Sequence, residues 1–328
     1  MNQLWGIDAL EDSGNYLLNY LDTNKCKMPK LVEKLLNKAF FRNSPGATAE
    51  LLAYNSSKSS DYIYSVCGPL ATTRLYPEKV VAWTFALPPK TKLLSPHLAY
   101  QKKSLRNSAG FFCLTPNGYN HYKQYAPSTF VPWYVDLELF NIDNSENNCN
   151  TTPFFLATGK TERDYKTLIE SAYHIKAEIR IIAPLSQKPN KLPLNVRWIN
   201  SSSNPPDLAI DYPTLREWYS QCIAVCIPLS GDADDTCGYT NMLEGMAMQK
   251  PVLMTKSGCL HVNPETREFG KLIPPKSSSE WSSSMNELIK EPDLAKYFGK
   301  NGRELVESEF TKERFDESVL SFFNSLSK

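Results

Sequence analysis

The chain has 328 residues, 41% of them hydrophobic and 22% charged, with 36 Lys and Arg against 35 Asp and Glu. This length holds two domains with separate cores, and the composition is globular rather than disordered. A net charge of +1 supplies no clustered basic field, so no nucleic-acid partner is expected.

The start, Met1-Asn2-Gln3-Leu4-Trp5-Gly6, has neither the basic residues nor the apolar run of a signal peptide. No stretch approaches the ~20 apolar residues of a membrane span. The expectation is a soluble, cytoplasmic protein, with peripheral contact to a membrane surface still compatible. Cysteines stand at 26, 67, 113, 149, 222, 226, 237 and 259 and read as reduced, mostly buried thiols. Cys222 and Cys226 are four apart, but the run Ile223-Ala224-Val225-Cys226-Ile227 reads as a strand. No His or second Cys pair completes a zinc set, so no metal site is expected.

In chain order, residues 62–66 and 79–85 read as strands, 95–107 as a helix, 110–115 as a strand, 117–124 as a short helix and 129–132 as a short strand. The stretch 141–152 is polar, rich in Asn and without apolar periodicity, which marks a linker. It divides the chain into domains 1–145 and 146–328. Beyond it, strands fall at 154–158, 178–183, 195–199, 223–228 and 251–255, and helices at 165–176, 212–221 and 241–249. Strands alternating with helices make a doubly wound parallel sheet, whose ligands bind at the carboxyl ends of the strands. The tail, 292–328, reads as helical.

Two short motifs fail or stay secondary. Gly159-Lys160-Thr161 looks like the end of a P-loop, but the glycine required five residues earlier is Phe154. Asp232-Ala233-Asp234-Asp235-Thr236 matches the Asp-x-Asp-x-Thr nucleophile motif of haloacid-dehalogenase-type phosphotransferases. Its first Asp is separated from the strand by Pro228-Leu229-Ser230-Gly231. A metal-dependent phosphatase using Asp232 and Asp234 is therefore a lesser alternative.

The segment Cys237-Gly238-Tyr239-Thr240-Asn241-Met242-Leu243-Glu244 reads as a small-residue turn, a helix start and a carboxylate one turn deeper. Backbone N–H groups at Gly238, Tyr239 and Thr240 are expected to face an anion, aided by the helix dipole. Glycine admits a phosphate to the backbone without a side chain intervening. Glu244, flanked by Met242, Leu243, Met246 and Ala247, reads as a buried carboxylate that needs a partner.

With its continuation Gly245-Met246-Ala247-Met248-Gln249-Lys250-Pro251-Val252, this segment resembles glycosyltransferase family 4, retaining enzymes of the GT-B fold. Their corresponding stretch runs Gly…Glu-Ala-Met-Ala-x-Gly-x-Pro-Val, and its Glu binds the donor ribose. Phe154 to Ile169 is similar to the family's Gly-Arg loop, whose cations hold the donor diphosphate. By that resemblance Gly159, Lys160 and Arg163 join Gly238, Tyr239, Thr240 and Glu244 in donor binding, with Lys160 in place of the usual Arg and Arg163 or Lys166 as the second cation. Val131-Pro132-Trp133-Tyr134-Val135-Asp136, Gly270-Lys271-Leu272-Ile273-Pro274 and Phe298-Gly299-Lys300-Asn301-Gly302-Arg303 also resemble family passages.

The sequence departs from the family in three places. Where the family has a first Glu, eight residues before the second, this chain has Thr236. The adjacent Asp235 is the candidate for the catalytic-side carboxylate. The family's sugar-site His has no counterpart in Trp83-Thr84-Phe85. Leu4 to Leu10 is similar to the first N-domain helix, which implies a trimmed N-terminal domain.

The resemblance implies two Rossmann-like domains, the terminal helix crossing back to the first. It implies a hexosyltransferase-type enzyme that moves sugar from a nucleoside diphosphate sugar, UDP-sugar favoured, to a glycan, lipid or small-molecule acceptor with retention. It needs neither metal nor other cofactor. The alternative is a degenerate GT-B protein that binds nucleotide or a partner without turnover.

Overall fold

The computed structural model describes residues 5–22, 26, 28–41, 44–85, 87, 102–144, 152–201, 210–230, 236–256 and 261–326. The chain divides into two compact units, one of residues 2–132 with 315–328, the other of residues 133–314.

In the first unit, helices α1 (Ile7–Asp12), α2 (Lys30–Ala39) and α3 (Ala47–Ser56) precede strands β1 (Ile63–Ser65), β2 (Val80–Thr84) and β3 (Gly110–Cys113). Helix α4 (Pro116–Tyr122) and strand β4 (Ser128–Phe130) follow, and the terminal helix α10 (Lys312–Leu326) completes the unit from Phe315 onward. The sheet is parallel throughout, in the order β1-β2-β3-β4. Strands β2 and β3 are buried at every position, as expected of parallel strands covered on both faces. Trp83 of β2 stacks against Phe112 at 4.7 Å and Phe315 at 5.3 Å between ring centroids. Its indole N–H donates to the Tyr64 hydroxyl, which donates to the Trp5 carbonyl. At Gly110 an added Cβ would lie 2.6 Å from the Phe322 ring, so α10 seats on the sheet only over glycine.

The second unit has strands β5 (Phe154–Thr158), β6 (Glu178–Ala183), β7 (Val196–Asn200), β8 (Val225–Ile227), β9 (Val252–Thr255) and β10 (Gly270–Ile273). Its helices are α5 (Tyr165–Ser171), α6 (Tyr212–Gln221), α7 (Tyr239–Ala247), α8 (Ser278–Lys290) and α9 (Pro292–Glu309). All six strands are parallel, in the order β10-β9-β8-β5-β6-β7. Helix α9 lies against α7 through two glycines. A Cβ at Gly302 would stand 3.2 Å from the Met246 side chain, and one at Gly299 only 2.0 Å from the Gln249 carbonyl oxygen. Arg303 then donates to the Ala247 carbonyl at 2.8 Å and the Phe140 carbonyl at 3.0 Å, satisfying the end of α7. The stretch 298–303 therefore serves packing. Gly299→Ala meets backbone rather than a yielding side chain and is expected to cost about 3 kcal/mol, read as a lower urea midpoint.

Several elements differ from their sequence reading. Helices α2, α3 and α8 and strand β10 were not anticipated, because α3 carries apolar residues on several faces and β10 offers only four residues. Helix α7 begins at Tyr239 rather than residue 241, and the tail breaks into α9 and α10. Of the helix expected at 95–107, residues 102–105 are helical and 95–101 lie outside the described residues. Residues 142–144 form a 3-10 turn, and the rest of the expected linker, 145–151, also lies outside them. The thiols are less uniformly buried than expected. Cys113, Cys222 and Cys226 are buried, but Cys67 is exposed and Cys26 and Cys237 partly so. Cys222 precedes β8 instead of sharing it, and burial pushes its thiol up to about 12.

Candidate functional site

In the second sheet the chain runs from β5 outward through β6 to β7, then crosses to β8 on the other side of β5. The connections leaving β5 and β8 therefore lead to neighbouring strands on opposite sides, the strand-order reversal at whose carboxyl ends doubly wound sheets bind ligands. The segment from Gly159 to Arg163 follows β5, and α7 follows β8. The sequence candidates thus gather at the switch point of this sheet.

The two connections are laced together. Asp164 N–H donates to the Pro228 carbonyl at 2.9 Å and Ser230 N–H to the Glu162 carbonyl at 3.1 Å. Arg163 and Leu229 form an antiparallel bridge. Gly159 has φ +125°, and a Cβ there would strike the Arg163 guanidinium at 2.5 Å, so glycine is needed for both backbone and space. The guanidinium donates from Nε to the Thr158 carbonyl, from Nη1 to the Thr161 carbonyl, and from Nη2 to Asn241 Oδ1 at 2.8 Å. Arg163 thus ties the β5 loop to α7. The Lys160 side chain is exposed and has no ion pair among the described residues.

Gly238 caps α7 in the left-handed conformation, φ 83°, and a Cβ there would lie 2.6 Å from Ile227. The first turn is partly occupied, contrary to the sequence reading: Tyr239 N–H donates to the Thr236 carbonyl at 3.1 Å. Met242 N–H takes the Gly238 carbonyl, leaving Thr240 and Asn241 N–H without an acceptor inside the helix. Thr240 is exposed. The Tyr239 ring is buried, with its hydroxyl 3.4 Å from both ring nitrogens of His261. Burial pushes that imidazole down to about 4, so it is neutral at neutral pH.

Glu244 is 5% exposed, on a helix whose other buried residues are mostly apolar. Its Oε2 accepts from the Tyr219 hydroxyl at 2.8 Å. Burial pushes the carboxyl up from 4.5 to about 7, opposed by hydrogen bonds from Tyr219 and Asn241. Asn241 Nδ2 donates to Thr158 Oγ1 at 2.6 Å and approaches the Tyr219 oxygen at 3.4 Å. A polar chain therefore runs from Arg163 through Asn241 and Tyr219 to Glu244. Burial, followed by the neighbouring Glu244, pushes the Tyr219 phenol well above its ordinary value, so it stays a donor.

Among the sequence candidates, the structure places Gly159, Lys160 and Arg163 in the connection after β5, and Gly238, Tyr239, Thr240 and Glu244 at the cap and in the first turns of α7. Asp232, Asp234 and Asp235 lie outside the described residues. Thr158, Tyr219 and Asn241 were not singled out by sequence reasoning. The signal was a polar residue at a strand end, a Tyr on an amphipathic helix and an Asn one turn before Glu244, each unremarkable by itself. Among the described residues no group of three His, Cys, Asp or Glu is placed to hold a metal.

Compared with solved structures, the chain aligns with sucrose-phosphate synthase from Thermosynechococcus elongatus at a TM-score of 0.65 and 17% identity, over 92% of this chain and 80% of that one. A glycosyltransferase from Rickettsia africae gives 0.66 at 15% identity, over 98% and 88% of the two chains. HepE from Anabaena, solved with UDP, gives 0.64 at 13%, over 89% and 88%. No family model and no curated protein matches the sequence. These likenesses show the fold: two parallel-sheet α/β units of GT-B type.

Proposed function

We propose that this GT-B protein is a glycosyltransferase that takes its sugar from a nucleoside diphosphate sugar at the β5–β8 switch point. The observation that carries this is the buried Glu244 carboxyl, held by Tyr219 less than two turns below the glycine-capped start of α7. A carboxylate there accepts from vicinal ribose hydroxyls, while Thr240 and Asn241 N–H and the Lys160 ammonium face the diphosphate. Arg163 contributes its charge and positions the loop. UDP is the favoured nucleotide, in keeping with the family 4 resemblance and with a neighbour, HepE, solved with UDP and with UDP-glucose.

In the reaction the bond from the anomeric carbon to the diphosphate oxygen breaks, and the acceptor oxygen bonds to that carbon and gives up its proton to the departing diphosphate. The departing diphosphate gathers negative charge, and these cations and N–H groups stabilise it as it leaves. No metal is required for this. Retention, a hexosyl donor and a glycan, lipid or small-molecule acceptor follow from the family 4 resemblance, with Asp235 as the residue proposed to touch the donor sugar.

Titration calorimetry of the full chain with UDP, GDP, dTDP and uridine tests the site. Lys160→Ala is expected to weaken UDP about tenfold to a hundredfold and leave uridine unchanged, and chelators should leave wild-type UDP affinity intact. UDP affinity unmoved by both Lys160→Ala and Glu244→Ala would place the nucleotide elsewhere. Tight UDP binding without release of UDP from any UDP-sugar, acceptors included, would make the chain a nucleotide-binding protein only.

A further inference from the structure

Helix α2 presents its amphipathicity in reverse. It buries none of its ten residues, although five are Leu, Val or Ala. At 3.6 residues per turn, positions four apart form rows along the helix. The row Glu33–Asn37 faces inward: Glu33 Oε1 accepts from the Thr48 hydroxyl and Asn37 Oδ1 from Ala47 N–H, both at 2.7 Å. This polar row therefore seats α2 on the start of α3. The row Leu31–Leu35–Ala39 faces water, with Leu31 71% and Leu35 60% exposed, and Val32 beside it is 45% exposed. Phe40, just past the helix, is 59% exposed. Lys30, Lys34 and Lys38 form the adjoining row and are all exposed.

A contiguous apolar strip on one helix marks an interaction surface, and the charge beside it decides the occupant. Pairing the strip with its copy on a second chain sets lysine rows against lysine rows. Glu33, the acidic residue of the helix, is held by Thr48 and leaves those rows uncompensated. An anionic lipid surface fits both rows at once. Leu31, Val32 and Leu35 enter the headgroup–acyl boundary, and the lysines extend their stems to the lipid phosphates and carboxylates.

We propose that α2 docks the protein onto anionic lipid bilayers, lying in the plane of the interface. This stands independently of the nucleotide site.

The test is sedimentation of the full chain with vesicles of phosphatidylcholine alone or with about 30% phosphatidylserine. The expected result is binding to the anionic vesicles only, weakened by salt. Leu31→Asp with Leu35→Asp should abolish it. Replacing all three lysines with Gln should lower the partition coefficient about 100-fold, at about 1 kcal/mol for each charge near the surface. All five side chains are exposed, so unfolding curves should match wild type. The proposal is overturned if wild type ignores both vesicles, binds neutral ones equally well, or binds undiminished with the Leu or the Lys variants. A dimer that dissociates on Leu31→Asp with Leu35→Asp, without vesicle binding, would give the surface to a second copy instead.

Discussion

At about pH 8, Glu244→Gln makes the second unit more stable than wild type while weakening UDP-glucose binding about tenfold to a hundredfold. Burial pushes the Glu244 carboxyl from 4.5 up to about 7. Between those values the folded protein keeps a proton that the unfolded chain has lost. Wild-type stability therefore falls as pH rises through that window and levels off above it, by an amount on the order of 3 kcal/mol. Gln has the same shape, accepts from Tyr219 and carries no charge to bury. The two proteins should unfold alike at about pH 4 and diverge toward pH 8, as thermal melts across the range will show. Parallel melting curves would mean that Glu244 does not titrate in this window. UDP-glucose is the better ligand for the binding arm, because its diphosphate is already fully ionised there. Wild-type affinity should climb as pH passes 7 and the carboxyl becomes a pure acceptor, whereas the Gln variant stays flat.

Such a carboxyl is costly to the fold, which is why its surroundings carry the information about the site. The sequence exposed part of them. Strand β5 has the expected bounds because Phe154-Phe155-Leu156-Ala157-Thr158 is buried at every position, and buried parallel strands read as unbroken apolar runs. Gly238 and Glu244 were legible because a left-handed turn and a carboxylate among methionines are both locally anomalous. Tyr219 and Thr158 were not, since their roles arise from pairings over 25 and 83 positions. Those pairings exist because β8 crosses back to lie beside β5. Helix α2 is different: its apolar residues 31, 32, 35, 36 and 39 recur at helical spacing, but that pattern points to the apolar row as the seated face, whereas the polar row Glu33–Asn37 is the one held against α3. Tyr239 shows a further limit. Its N–H looked available from the glycine turn, but the carbonyl of Thr236, three residues back, already takes it.

Asn241 is expected to couple the diphosphate loop to Glu244, and its substitution should separate that role from simple packing. Arg163 has donors only, so the amide oxygen must face it and the amide nitrogen must face Thr158 and Tyr219. Tyr219, accepting from Asn241, is then free to donate to Glu244. Asn241→Leu leaves Arg163 and Thr158 without their partner in a half-buried site and should cost on the order of 3 kcal/mol, read by chemical denaturation. Asn241→Asp retains an acceptor for Arg163 but loses the donated bonds and sets a second carboxylate beside Glu244. Like charge disfavours ionisation, so the pH midpoint for UDP-glucose binding should move above that of wild type. A purely structural Asn241 would weaken binding and stability together without moving that midpoint. An Asp variant whose midpoint stays at the wild-type value, with its fold intact, would therefore end the coupling between Arg163 and Glu244.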